Sequence, residues 1–165
     1  MVNRKILRDG LTLVAVTLLS VSVVRATTLL HMDLADLTSE ADVIALVQAG
    51  GASCQLDPSN ERWIYTYREV TVDEIIKGDR YLTQLTVKTP GGELGTLKME
   101  VPGAPALKEN GTYILFLYQG RDDYESNVVG WQGVFAVENG MVLRTGQTVD
   151  EFLKDVVDLM NANER

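Results

Sequence analysis

Thr89-Pro90-Gly91-Gly92-Glu93-Leu94-Gly95, followed closely by Val101-Pro102-Gly103-Ala104-Pro105, is the stretch around which the chain reads as organised. It holds three of the four prolines, and with Gly111 five of the fourteen glycines fall between Thr89 and Gly111. Proline cannot donate to a sheet ladder, and glycine tolerates positive φ, so the segment has to bend, bulge or cross over. Sequence rich in β-branched and aromatic residues flanks it on both sides.

On its N-terminal side, Leu82 to Thr89 reads as a strand with Leu85 and Val87 facing one way. Before it, Trp63 to Ile76 is a long strand by its aromatic and β-branched content, with a bulge expected near Arg68 or Glu69 because its alternation changes parity there. Asp57-Pro58-Ser59-Asn60 is a turn. Val43 to Val47 is uniformly apolar, the signature of a buried strand. Gly50-Gly51 predicts a bulge or tight bend, as at a barrel corner, before it resumes through Ser53 to Leu56. Asp33 to Ala41 predicts a short helix with Asp33 as N-cap and Asp36 three residues on.

On the C-terminal side, Thr96 to Val101 predicts a short edge strand, Lys108 to Gly111 a turn, and Thr112 to Tyr118 a central strand by its unbroken apolar run. Gly120 to Asn127 is a polar loop. Val128 to Glu138 and Met141 to Arg144 predict a hairpin closed by Asn139-Gly140. Thr148 and Glu151 open a final helix, whose apolar face carries Val149, Phe152, Leu153, Val156, Val157 and Met160. Its polar side is acidic, which favours docking on the domain over a membrane surface. The fold class expected is mainly β: an OB-like, netrin-like β-barrel with a short N-terminal helix and a C-terminal helix.

The chain begins with Arg4, Lys5 and Arg8, then a charge-free run from Leu11 to Val24, then Val24-Arg25-Ala26. This is a signal-peptide pattern over residues 1–26, and the run is short of the ~20 residues a spanning helix needs. The expectation is an exported protein, periplasmic or extracellular, with residues 27–165 as one domain and no stable membrane span after cleavage. Those residues carry 11 Lys and Arg against 22 Asp and Glu, a net charge of −11. Such a surface repels nucleic acid.

Chemistry is sparse. The chain has one cysteine, Cys54, and one histidine, His31. That excludes a disulfide framework and the usual zinc ligand sets, and there is no Gly-x-Ser-x-Gly elbow. Gly91 to Gly95 lacks the Gly-Lys-Ser/Thr ending of a phosphate loop. Asp122 to Asn127 offers oxygen ligands without EF-hand spacing and reads as a solvated acidic loop. No catalytic residue, cofactor or metal is assigned. Trp63, Tyr65 and Tyr67 share one strand face and form, with Glu93, the candidate binding surface for a protein or carbohydrate partner.

Ala41-Asp42-Val43-Ile44, Glu74-Ile75-Ile76-Lys77-Gly78, Gly91-Gly92 with Gly95, Val101-Pro102-Gly103-Ala104-Pro105 and Asn110-Gly111-Thr112-Tyr113-Ile114-Leu115-Phe116-Leu117 occur in this order. In that order the chain resembles a family of uncharacterised secreted bacterial proteins, over Leu34 to Val137. It is also similar to the netrin-like domain of tissue metalloprotease inhibitors, an OB-type barrel. That family inhibits through a mature N-terminal cysteine, which this chain lacks, so the resemblance implies the fold and transfers no functional residue. The function expected is a non-catalytic exported binding or envelope-associated module. The alternatives are a hydrolase using carboxylates or Cys54, and a protease inhibitor by fold analogy.

Overall fold

Strands β1 (Val43–Asp57) and β6 (Thr112–Gln119) lie side by side, antiparallel, from Val43 opposite Leu117 to Gln48 opposite Thr112. Over Val43 to Val47 and Tyr113 to Leu117 both are covered on both faces, which is why each reads there as a continuous apolar run rather than an alternation. Val43, Ala45, Val47, Tyr113, Leu115 and Leu117 enter one buried cluster, and Ile44, Ile114 and Phe116 enter another. In the computed structural model, residues 31–119 and 126–163 are described. Residues 1–26, expected to be a signal peptide, and Asp122 to Glu125 of the expected acidic loop lie outside them.

The rest of the sheet comprises β2 (Asn60–Lys77), β3 (Gln84–Pro90), β7 (Ser126–Val128), β8 (Val134–Glu138) and β9 (Met141–Val142). Pairings run β1–β2, β2–β3, β3–β7, β7–β6 and β6–β1, so five strands close a ring. The expected mainly β fold with two helices is therefore borne out. One edge of β6 pairs with β1, and its other edge is divided between β8 at Thr112–Leu115 and β7 at Leu117–Gln119. Among the described residues no helix is long and apolar enough to cross a membrane.

Helix α1 (Leu34–Glu40) starts at the expected capping box: Asp33 Oδ1 accepts from the Asp36 amide at 2.9 Å, and Asp36 Oδ2 accepts from the Asp33 amide at 3.2 Å. Helix α2 (Val149–Asn163) is capped likewise by Thr148 and Glu151. Its Phe152, Leu153 and Val156 are buried with Leu37 of α1 against Ile44, Phe116 and Phe135. Phe116, Phe135 and Phe152 form a closed triad, with ring centroids 4.7–6.4 Å apart.

Several expectations are corrected. No residue from Gly91 to Ala106 enters either buried cluster, so the Gly/Pro stretch is peripheral, and β1 with β6 is the true centre. Within that stretch Gly92–Leu94 (β4) and Leu97–Met99 (β5) pair as a small hairpin rather than leaving one edge strand. Arg68 and Glu69 do not bulge. The extra residues lie opposite, at Gly50-Gly51 of β1, where the Arg68 guanidinium donates to the Gly50 carbonyl. Val128 to Glu138 is not one strand: a 3-10 turn at Val129–Trp131 separates β7 from β8. The Asn139-Gly140 turn stands as expected, both residues having positive φ.

Candidate functional site

Alternation along β2 sends Ile64 and Val70 inward and Trp63, Tyr65 and Tyr67 to the outer face. Trp63 and Tyr65 are near-parallel, 22° between planes and 6.3 Å between centroids. The register then adds a lateral row that the sequence does not reveal: Tyr67 stands opposite Lys88, Lys88 opposite Asn127, and Asn127 opposite Tyr118. The Lys88 ammonium lies over two rings, 4.6 Å from the centroid of Tyr65 and 5.4 Å from that of Tyr67. Four strands thus contribute to one outer face.

A groove of about 290 Å³ runs along this face, with Trp63, Tyr65, Lys88, Tyr118, Asn127 and Trp131 among its walls. Pro90 and Pro105 complete it, so the far end of the Gly/Pro stretch shapes the groove. Trp63 is 38% exposed and Tyr118 44%. Trp131 sits at φ 57°, directly after Gly130 at φ 55°. A bulky L-residue in this left-handed region costs on the order of 1–2 kcal/mol, so its surroundings must hold it there. Gly133 does so in part, tying the turn to β6: its amide donates to the Val129 carbonyl and its carbonyl accepts from the Phe116 amide. Among the described residues, no Asp or Glu lines the groove.

The four residues expected as a binding surface do not all come together. Trp63 and Tyr65 line the groove, and Tyr67 adjoins it through Lys88. Glu93 does not line it. It sits exposed on β4, 3.0 Å from the Lys98 ammonium, which also meets Glu100 at 3.0 Å. Hydrogen bonding to Glu100 and then to Glu93 holds the Lys98 ammonium above the usual lysine range. Tyr118, Asn127, Lys88 and Trp131 were missed as site residues, because their meeting depends on long-range register. Exposed aromatic residues late in apolar strands, such as Tyr118, were the one available signal.

The remaining chemistry is dispersed. The Cys54 thiol is 3.5 Å from the Thr66 hydroxyl, beneath Gly92. His31 is exposed and borders a separate hollow of about 440 Å³ with Leu37, Arg144 and Phe152. There the Arg144 guanidinium lies 3.6 Å from the centroid of Phe135, and burial pulls its pKa down. At the β1–β2 turn the Asp57 carboxylate accepts from the Ser59 hydroxyl at 2.6 Å and the Ser59 amide at 2.8 Å. These bonds hold its pKa below the usual carboxylate range. Among the described residues, no three His, Cys, Asp or Glu side chains are grouped to hold a metal ion. The chain matches no protein-family model and no curated protein.

Proposed function

We propose that this is an exported, non-catalytic binding module and that the aromatic groove is its binding surface. The observation that carries the reading is the groove itself. It has several aromatic rings on a sheet, a tryptophan held in a costly backbone conformation, and no carboxylate among the described residues of its walls. Rings left half exposed in this way offer apolar area at little entropic cost to a ligand. General acid–base hydrolysis needs a pair of carboxylates flanking the reacting bond, and the described residues of the groove supply none. The hydrolase alternative gains no support at Cys54, whose thiol meets the Thr66 hydroxyl at 3.5 Å, a group that is not a base.

The export part of the reading rests on the basic, apolar and small-residue order of residues 1–26. The test of function is a side-by-side screen of the purified protein against ester, peptide and glycoside substrates, with Cys54→Ser as the comparison. The expected result is no turnover by either protein. Turnover that disappears in Cys54→Ser would replace the binding module with a cysteine hydrolase.

A further inference from the structure

We infer that the groove takes the ring of a neutral pyranose glycan. This deepens the binding-module reading above and rests on it. A pyranose has flat faces rich in C–H and a rim of hydroxyls, so it calls for aromatic faces bordered by hydrogen-bonding groups. Trp63 and Tyr65 supply the near-parallel faces, and Tyr118 a further exposed ring. The Asn127 amide, both donor and acceptor, stands between Tyr118 and Lys88 in the lateral row.

Size and charge narrow the choice. A volume of about 290 Å³ is at the small end of small-ligand sites and suits a ring-sized group rather than a folded partner. Lys88, the cation in the groove, already lies over Tyr65 and Tyr67. The chain as a whole is strongly acidic, with a net charge of −8. Single-stranded nucleic acid also stacks on aromatic rings, but it needs a positive groove and is repelled by this field. A proline-rich peptide would lay its rings between aromatic residues, a position that Pro90 and Pro105 of the chain itself already border.

The experiment titrates the full chain with cellohexaose, with chitohexaose and, in parallel, with a decaproline peptide. Tryptophan fluorescence and calorimetry are the readouts. The expected result is binding of at least one hexasaccharide, weakened roughly tenfold or more in Trp63→Ala, as loss of one aromatic stacking contact implies. The Trp63→Ala variant should melt within a few degrees of the parent, and Asn127→Ala should weaken binding without changing the melting curve. Glu93→Gln, outside the groove, should bind as the parent does. If decaproline binds in a Trp63-dependent way and neither sugar does, the glycan inference is overturned while the groove stands. If no probe binds, the glycan inference and the groove assignment fall together. Sugar binding that survives Trp63→Ala would also overturn the site.

Discussion

Two aromatic groups in this protein are built from similar side chains and put to different ends. Under the helices, Phe116, Phe135 and Phe152 pack together, Phe116 and Phe152 edge to face and the other pairs tilted, and are 0–3% exposed. On the outer face of β2 and β6, Trp63 and Tyr118 are 38% and 44% exposed. In the first group, contact with neighbours has consumed the apolar surface, and that burial stabilises the fold. In the second it is left over for something else to cover. The first is assembled from side-chain volume. The second is shaped by backbone: strand register, the Trp131 turn and the prolines at its edge.

The contrast breaks most severely at Phe152. Phe152→Ala removes the member of the triad that ties α2 to the sheet and should cost about 3–5 kcal/mol. Chemical denaturation measures it, and an unchanged midpoint would mean that α2 is not part of the cooperative unit.

Gly92, in the hairpin that follows the groove-lining Pro90, tests backbone strain beside that region. It has φ 139°, and a Cβ there would stand 2.6 Å from both the Cys54 sulfur and the Thr66 hydroxyl. Gly92→Ala combines backbone strain with overpacking and should destabilise by about 2–3 kcal/mol. Because one of the clashing atoms is the Cys54 sulfur, Cys54→Ala should recover part of that loss in the double variant. Strict additivity of the two changes would show that the cost lies in φ and against Thr66 rather than against the sulfur.

Thr148→Ala removes a helix cap on the packed side and should cost about 1 kcal/mol. The cap also makes stability depend on pH. The Thr148 backbone amide, and next its hydroxyl, donate to the Glu151 carboxylate and hold its pKa below the ordinary value of 4.5. A lowered folded-state pKa contributes stability that is present above the ordinary glutamate value and lost as pH falls through the depressed one. Melting temperatures taken from pH 6 downwards should therefore fall less steeply in Glu151→Gln than in the parent, and parallel curves would remove this carboxylate from the account.

The smallest effect belongs to the exposed aromatic group. Trp63→Ala should change stability by no more than about 0.5–1 kcal/mol, since much of its surface is already in water. A loss as large as that of Phe152→Ala would erase the distinction between the two groups and make Trp63 a structural residue.

Local signals were legible because their physics is local. Asp33 with Asp36 and Thr148 with Glu151 mark helix starts, since a capping box spans only four residues. Asn139-Gly140 marks its turn through the φ values it permits. The runs Val43 to Val47 and Thr112 to Tyr118 were legible as buried strands because two covered faces leave no polar alternation. The Gly/Pro stretch was legible as bent, but its rank in the fold was not. Composition reports where a backbone turns, not how much core it touches.

The sequence by itself determined the mainly β character, the two helix starts, the acidic surface and the aromatic face Trp63, Tyr65, Tyr67. Each follows from spacing along one strand or helix. Only the tertiary structure decided which of these meet. It closed five strands into a ring, placed the bulge at Gly50-Gly51 with none at Arg68 or Glu69 opposite, and split Val128 to Glu138 at Trp131. It also set Tyr118, Asn127 and Lys88 in line beside Tyr67 while leaving Glu93 outside with Lys98. The reason is register: which residue stands across from which is fixed by pairings between strands distant in the chain, and a slip of one residue would send every side chain to the other face.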